Sequence, residues 1–318
     1  MAKMKIFVAD TIAQEGMAEF GRYPELEVVV KTGLPPAALA NELGDCVGLV
    51  VRSATQASRE IINAGRSLKV IGRAGAGVDN IDVKAASERG ILVLNTPGGN
   101  AEAAGELAFA MMFALARELT RADASMKAGT WDKKSFSGSE LRGKTLGLLG
   151  IGNVGSIVGA RALGLGMRVL AYDPFVSAEK TSSIGFAPAT FDELIAAADF
   201  ISIHAPKTPE TKGILNARTF AKMKKGVYIV NCARGGIVVE KDLLAALEDG
   251  TVKGSGMDVY EKEPPDDWSL ARHPRVIATP HIGASTGEAQ VNVSVMIARQ
   301  IAAYLMKGEV INAVNGVK

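Results

Sequence analysis

The sequence predicts an α/β protein made of two doubly wound parallel sheets, and three observations predict it. Short apolar runs alternate with helix-compatible stretches from the start of the chain. A cluster of turn residues and a long helical run interrupt the alternation near residue 98, and it restarts at residue 145 and continues to residue 278. Alternating strands and helices favour a parallel sheet, and a complete second round of the pattern favours a second sheet.

In chain order, strands are expected at 5–10, 26–30, 47–51, 68–71 and 91–94, each rich in Val, Ile and Leu. Asn95-Thr96-Pro97-Gly98-Gly99-Asn100 then reads as a turn, followed by one long helix over 101–126. The second round places strands at 145–149, 168–172, 200–203, 227–230, 254–259 and 276–278. A last helix over 288–307 carries Val291, Val295, Ile297, Ile301 and Leu305 at helical spacing. It leads into no further strand, so it has to pack on a sheet already made.

At 318 residues the length suits about two domains. A 47% hydrophobic and 22% charged composition is that of an ordinary globular chain. A net charge of +2, evenly spread, argues against nucleic acid or a membrane as the main partner. The longest apolar run, 107–116, is ten residues, about half of a membrane span. Met1-Ala2-Lys3-Met4-Lys5 passes straight into a strand without the apolar region of a signal peptide. Cys46 and Cys232 form neither a metal-ligand spacing nor a disulfide framework. A cytoplasmic protein without a metal is the expectation.

The second round opens with the most informative stretch. The apolar run 145–149 stops at Gly150-Ile151-Gly152-Asn153-Val154-Gly155, a G-x-G-x-x-G in strand, turn and helix context. Gly150 permits the tight turn, Gly152 lets the backbone approach a pyrophosphate, and Gly155 lets the helix pack on the strand. The N–H groups at the helix start then face phosphate. Asp173 ends the next strand 23 residues after Gly150, near the roughly 20-residue spacing at which a carboxylate meets the adenosine ribose. Its charge repels a 2′-phosphate, so NAD is expected in preference to NADP. The second sheet is therefore read as a Rossmann domain.

Three polar clusters follow, each at a strand end, where ligands bind in an open α/β sheet. They are Asn231-Cys232-Ala233-Arg234-Gly235-Gly236, Met257-Asp258-Val259-Tyr260-Glu261-Lys262-Glu263-Pro264 and Thr279-Pro280-His281-Ile282-Gly283-Ala284-Ser285-Thr286. Oxidising a secondary alcohol needs a base for the hydroxyl proton, and His281 titrates near working pH. A carboxylate on its far nitrogen, the role for Glu263, would fix the tautomer and favour the imidazolium. Arg234 offers a planar fork that matches a carboxylate. Singly, each also reads as ordinary structure: a capping histidine, a solvated glutamate, an arginine in a surface ion pair. Their order at successive strand ends favours the chemical reading.

These four motifs resemble those of the D-isomer-specific 2-hydroxyacid dehydrogenases, and the likeness covers almost the whole chain. Val51-Arg52-Ser53-Ala54-Thr55, the segment 72–82 and Asn95-Thr96-Pro97 narrow it to members that oxidise D-3-phosphoglycerate to 3-phosphohydroxypyruvate, at the start of serine biosynthesis. The alternatives are an unphosphorylated substrate, as in glyoxylate or hydroxypyruvate reductases, and an NAD-sensing corepressor. The resemblance implies a discontinuous substrate domain, 1–98 with 286–318, and a nicotinamide domain, 99–285, with the active-site cleft between them. It implies a catalytic triad of Arg234, Glu263 and His281. Cofactor contacts are expected from Gly150, Gly152, Asn153, Val154, Gly155, Asp173, Cys232, Asp258, His281 and Gly283, with Asp258 reaching the nicotinamide carboxamide. Substrate contacts are expected from Arg52, Arg73, Ala74, Gly75, Arg234 and His281. The Ala74-Gly75 backbone would hold the substrate carboxylate, and Arg52 its phosphate; for Arg52 and Arg73 a structural ion pair is the competing reading.

Two positions depart from the family pattern: Ala76 replaces a small hydroxyl residue and Ala205 a common threonine. The segment 127–134, with Trp131, resembles the arm by which one subunit reaches its neighbour. Lys133 or Lys134 could approach the partner's substrate there, although a solvated basic loop is the plainer reading. A homodimer or homotetramer is expected. The sequence stops at Lys318 without the regulatory modules of longer members, so insensitivity to millimolar serine is expected.

Overall fold

The computed structural model describes residues 3–316 and divides at Asn100/Ala101 and again at Ala284/Ser285 into two units, the first assembled from both ends of the chain. The first unit runs β1 (Met4–Val8), α1 (Gln14–Phe20), β2 (Leu26–Val30), α2 (Pro36–Glu42), β3 (Gly48–Val51), α3 (Arg59–Ala64), β4 (Val70–Arg73), α4 (Val83–Glu88) and β5 (Leu92–Leu94). Its five strands lie in the order β2-β1-β3-β4-β5 and pair in parallel throughout.

The second unit opens with α5 (Ala101–Ala116) and α6 (Leu119–Lys127) and continues with β6 (Thr145–Leu149), α7 (Asn153–Gly164), β7 (Arg168–Tyr172), α8 (Ala178–Ser183), β8 (Ala187–Pro188), α9 (Phe191–Ala197) and β9 (Phe200–Ile203). Then come α10 (Ala217–Phe220), β10 (Val227–Asn231), α11 (Glu240–Glu248), β11 (Val252–Met257), α12 (Ser269–Arg272) and β12 (Val276–Ala278). The seven strands lie in the order β12-β11-β10-β9-β6-β7-β8, again parallel. The order reverses between β6 and β9. Their carboxyl ends therefore flank a topological switch point, where open α/β sheets bind ligands.

The final helix, α13 (Gly287–Lys307), belongs to the first unit. Successive strand residues face opposite sides of a sheet, so each strand fills two cores. Phe7, Leu49, Ile71 and Val93 pack with Leu39, Ile61 and Ala85 from the helices, and with Leu43 just past α2, on one face. Ile6, Val8, Val50, Val70 and Leu92 pack with Val293, Ile297, Ala298 and Ile301 of α13 on the other. At Gly72 a Cβ would lie 2.7 Å from Ile297 Cγ1, so only glycine lets α13 sit this close to β4. The helix required to pack on an existing sheet covers that open face.

Strand ends shift by up to two residues, β4 for instance beginning at Val70 where 68 was expected, and three elements differ instructively. β8 has two residues, too short to show a pattern, and β11 begins two residues earlier than expected, where Lys253 and Gly254 interrupt the apolar run. The helix expected over 101–126 breaks at Glu118, whose φ is 51°. The carbonyl of Ala116 accepts a hydrogen bond from Ser139 N at 2.7 Å instead of continuing the helix ladder. That partner lies more than twenty residues downstream, so no local pattern announces the break. Among the described residues no helix is long and apolar enough to cross a membrane.

Candidate active site

The turn after β6 is shaped by its glycines in different ways. Gly150 has φ +92° and donates its N–H to Tyr172 O at 2.9 Å, and a Cβ there would lie 2.9 Å from the carbonyl oxygen of His204. A Cβ on Gly155 would strike the Gly150 carbonyl. Gly152, which caps the start of α7, has an ordinary φ of −67° and nothing within 4 Å of the space a Cβ would fill. Neither the backbone nor packing demands glycine there. The open space lies at a helix start, where the unshared N–H groups of the first turn favour an anion. These residues fit a dinucleotide pyrophosphate.

Asp173 follows β7 and steadies this turn. Its Oδ2 accepts from Ile151 N at 3.0 Å and its Oδ1 from Phe175 N at 2.9 Å. Each carboxylate oxygen retains acceptor capacity for a ribose hydroxyl. Beneath the turn lies His204, with Nε2 2.8 Å from Ser202 Oγ. Burial pushes its pKa down to about 4, so a neutral imidazole supports the loop at working pH. The sequence reading singled out only its neighbour, Ala205. Cys232 sits 3.7 Å from Met111 Sδ, and burial raises its thiol well above the usual range, leaving it an apolar wall and no nucleophile.

At the end of β10, the fully buried Asn231 folds the next turn. Its Nδ2 donates to Arg234 O at 3.0 Å and its Oδ1 accepts from Ala233 N at 3.1 Å. Arg234 Nη1 donates to Ala233 O at 2.7 Å. A Cβ on Gly235 would collide with the Tyr260 carbonyl, so this turn packs directly on the segment carrying Glu263.

Asp258, after β11, has no exposed surface. Its Oδ1 accepts from Thr279 Oγ1 and Ile282 N, both at 2.7 Å, and its Oδ2 from Gly283 N at 2.8 Å. Its backbone carbonyl accepts from His281 N at 2.8 Å. Asp258 thus fastens the turn 279–283 and holds His281 at φ 54°, a left-handed conformation that a non-glycine residue keeps only when its surroundings over-determine it. The sequence singled out Asp258 for the cofactor; its hold on the histidine's backbone came unannounced.

Glu263 accepts from Tyr260 N at 3.1 Å through Oε1 and meets His281 Nδ1 at 2.6 Å through Oε2. That bond is the foremost reason the His281 pKa rises above 6.5, against the opposing effect of burial. For Glu263, burial pushes upward, but the bonds from His281 and Tyr260 and the nearby positive charges outweigh it and hold the carboxyl below its ordinary range. The Arg234 charge acts on both partners, so the three side chains share one neighbourhood. With Nδ1 on Glu263, the nitrogen left for a ligand is Nε2. The arrangement can take or give a proton there, beside a guanidinium.

In the first unit, Arg52 follows β3, half-buried, with Nη1 donating to Thr11 O at 3.0 Å. Burial presses its pKa downward and the Asp10 charge opposes this. Arg73 ends β4 with Nη1 donating to Ala74 O at 3.2 Å. At the Ala74-Gly75 turn the backbone N–H groups find partners within the chain. Ala74 N donates to Val51 O at 2.9 Å and Gly75 N to Arg73 O at 2.8 Å, so the chain's own turn already uses both donors. Lys133 and Lys134 are exposed on a single 3₁₀ turn beside Trp131.

Residues 109–283 match the family described as D-isomer specific 2-hydroxyacid dehydrogenase, NAD binding domain. A D-3-phosphoglycerate dehydrogenase of Archaeoglobus fulgidus is 49% identical over 98% of this chain and 59% of its own length. That of Homo sapiens is 50% identical over 86% of this chain and 52% of its own. The chain thus spans little more than half the length of these curated relatives. Among solved structures, an NAD-bound 3-phosphoglycerate dehydrogenase of Entamoeba histolytica superposes with TM-score 0.84 at 32% identity, covering all of both chains. A glyoxylate reductase from Paecilomyes thermophila superposes with TM-score 0.88, also at 32% identity and full coverage.

Proposed function

Because the chain belongs to the D-isomer specific 2-hydroxyacid dehydrogenase family, we propose that it oxidises D-3-phosphoglycerate to 3-phosphohydroxypyruvate with NAD, at the start of serine biosynthesis. The observation that carries the chemistry is the 2.6 Å contact between His281 Nδ1 and Glu263 Oε2. The names of relatives near 50% identity support the choice of substrate.

NAD, when bound at the glycine turn, supplies the acceptor for the hydrogen and electron pair that leave the substrate carbon. Gly150, Gly152, Asn153, Val154 and Gly155 hold its pyrophosphate, and Asp173 its adenosine ribose. His281 Nε2 takes the hydroxyl proton, and Glu263 stabilises the resulting imidazolium across Nδ1. Arg234 pairs with the substrate carboxylate and fixes the reacting carbon beside His281. In the reverse direction the same imidazolium returns the proton. Arg52 takes the phosphate, which separates this substrate from small hydroxy acids.

Likeness to a glyoxylate reductase keeps an unphosphorylated substrate as the second reading. NADH formation measured over a panel of D-2-hydroxy acids with and without a phosphate tests the two. The proposal expects the highest kcat/KM for D-3-phosphoglycerate; a higher value for D-glycerate or D-lactate selects the second reading. The same reading makes the protein a cytoplasmic homodimer or homotetramer. Trp131, 81% exposed, and the exposed Leu119 and Met126 support that assembly, and light scattering tests it.

A further inference from the structure

Arg52 stands at the start of a short loop, residues 52–55, that is held from two sides by groups far away in sequence. Asp10, only 6% exposed, lies beyond the end of β1 and presents its carboxylate to the loop. Its Oδ2 accepts from Arg52 N at 2.5 Å and from Thr55 N at 3.2 Å, and its Oδ1 accepts from Thr55 Oγ1 at 2.8 Å. Asn80 Nδ2 donates to Arg52 O and to Thr55 O, both at 2.6 Å. One carboxylate thus takes the N–H groups of both loop ends, and one amide serves both carbonyls. The tip, Ser53-Ala54, is left exposed.

A buried carboxylate is costly unless donors surround it, and Asp10 has three. Those donors all come from the loop, so the cost of burying Asp10 is offset only when the loop keeps this one shape. The side chain of Arg52 leaves a backbone fixed at both its N–H and its C=O. An arginine pre-set in this way loses less conformational freedom on meeting an anion than one on a loose loop.

We propose that Asp10, with Asn80, is a positioning residue that sets Arg52 for the substrate's phosphate, so that preference for a phosphorylated substrate depends on a side chain that never touches it. This rests on the phosphate role given to Arg52 above.

The geometry separates two substitutions at Asp10. In Asp10→Ala the loop loses all three acceptor contacts. In Asp10→Asn an oxygen can still face the two N–H groups while the amide faces Thr55 Oγ1, whose hydroxyl can accept as well as donate. Asp10→Ala is expected to raise KM for D-3-phosphoglycerate about tenfold more than KM for D-glycerate, with Asp10→Asn restoring most of the loss. Combined with Arg52→Ala, the Asp10→Ala effect should largely vanish, because both act through one group. If Arg52→Ala alone leaves the two KM values in their original ratio, the phosphate role of Arg52 is wrong. If Arg52→Ala shifts the ratio but Asp10→Ala does not, or the two effects add in full, the positioning role is overturned. Should Asp10→Ala not fold, Asn80→Ala carries the same test from the carbonyl side of the loop, with the same shift expected and an unchanged ratio overturning the proposal.

Discussion

His281 and Glu263 form a pair whose protonation fixes the direction of pH dependence. The His281 pKa is raised by its bond to Glu263, and the proposed oxidation needs the neutral imidazole. The rate of oxidation should therefore fall as pH drops through a value above 6.5. Removing the carboxylate in Glu263→Gln takes away the stabilising partner, so the acidic limb of kcat/KM should move to lower pH. An unmoved limb contradicts the pairing. His281→Ala should lower kcat by about two to four decades, the usual share of a positioned acid–base group, while NAD affinity measured by calorimetry changes far less. At Asp173 the argument is one of charge. Asp173→Asn should weaken NAD binding and narrow the discrimination against NADP, and a wild-type preference for NADP would refute the ribose role.

At the scale of the element, the turn from β6 to α7 separates a glycine facing open space from glycines that the fold itself requires. Gly152→Ser retains a good helix cap and enters open space, so thermal stability should hold while NAD affinity drops about tenfold or more. Gly155→Ala drives a methyl group into the Gly150 carbonyl and should lower the melting temperature by several degrees or prevent folding. Equal effects on both properties at both positions would undo the distinction. Such a turn is legible in sequence because strand, glycines and helix are contiguous. The same holds for eleven of the twelve strands among the described residues, whose apolar runs mark them with small shifts at the ends. What stayed hidden depends on distant partners. The helix break at Glu118 is set by Ser139, the backbone of His281 by Asp258, and the Arg52 loop by Asp10 and Asn80. At Ala74-Gly75 composition shows that a backbone can turn, but not that its N–H groups meet Val51 O and Arg73 O.

At the scale of the molecule, each unit carries its own share of the candidate site residues. The unit spanning residues 101–284 holds the glycine turn, Asp173 and the Arg234, Glu263 and His281 group. The other contains the Arg52 loop, on a five-stranded sheet closed on one face by the chain's last long helix. The proposed reaction turns on one event, the passage of a substrate hydrogen to NAD as its hydroxyl proton passes to His281. Deuterium at C2 of D-3-phosphoglycerate follows that event directly, with the NADH product analysed by mass spectrometry. The account expects wild-type enzyme to yield singly deuterated NADH from the D isomer and none from the L isomer, with the yield per turnover time falling by decades in His281→Ala. Undeuterated NADH, label drawn equally from both isomers, or an undiminished rate in His281→Ala would contradict it.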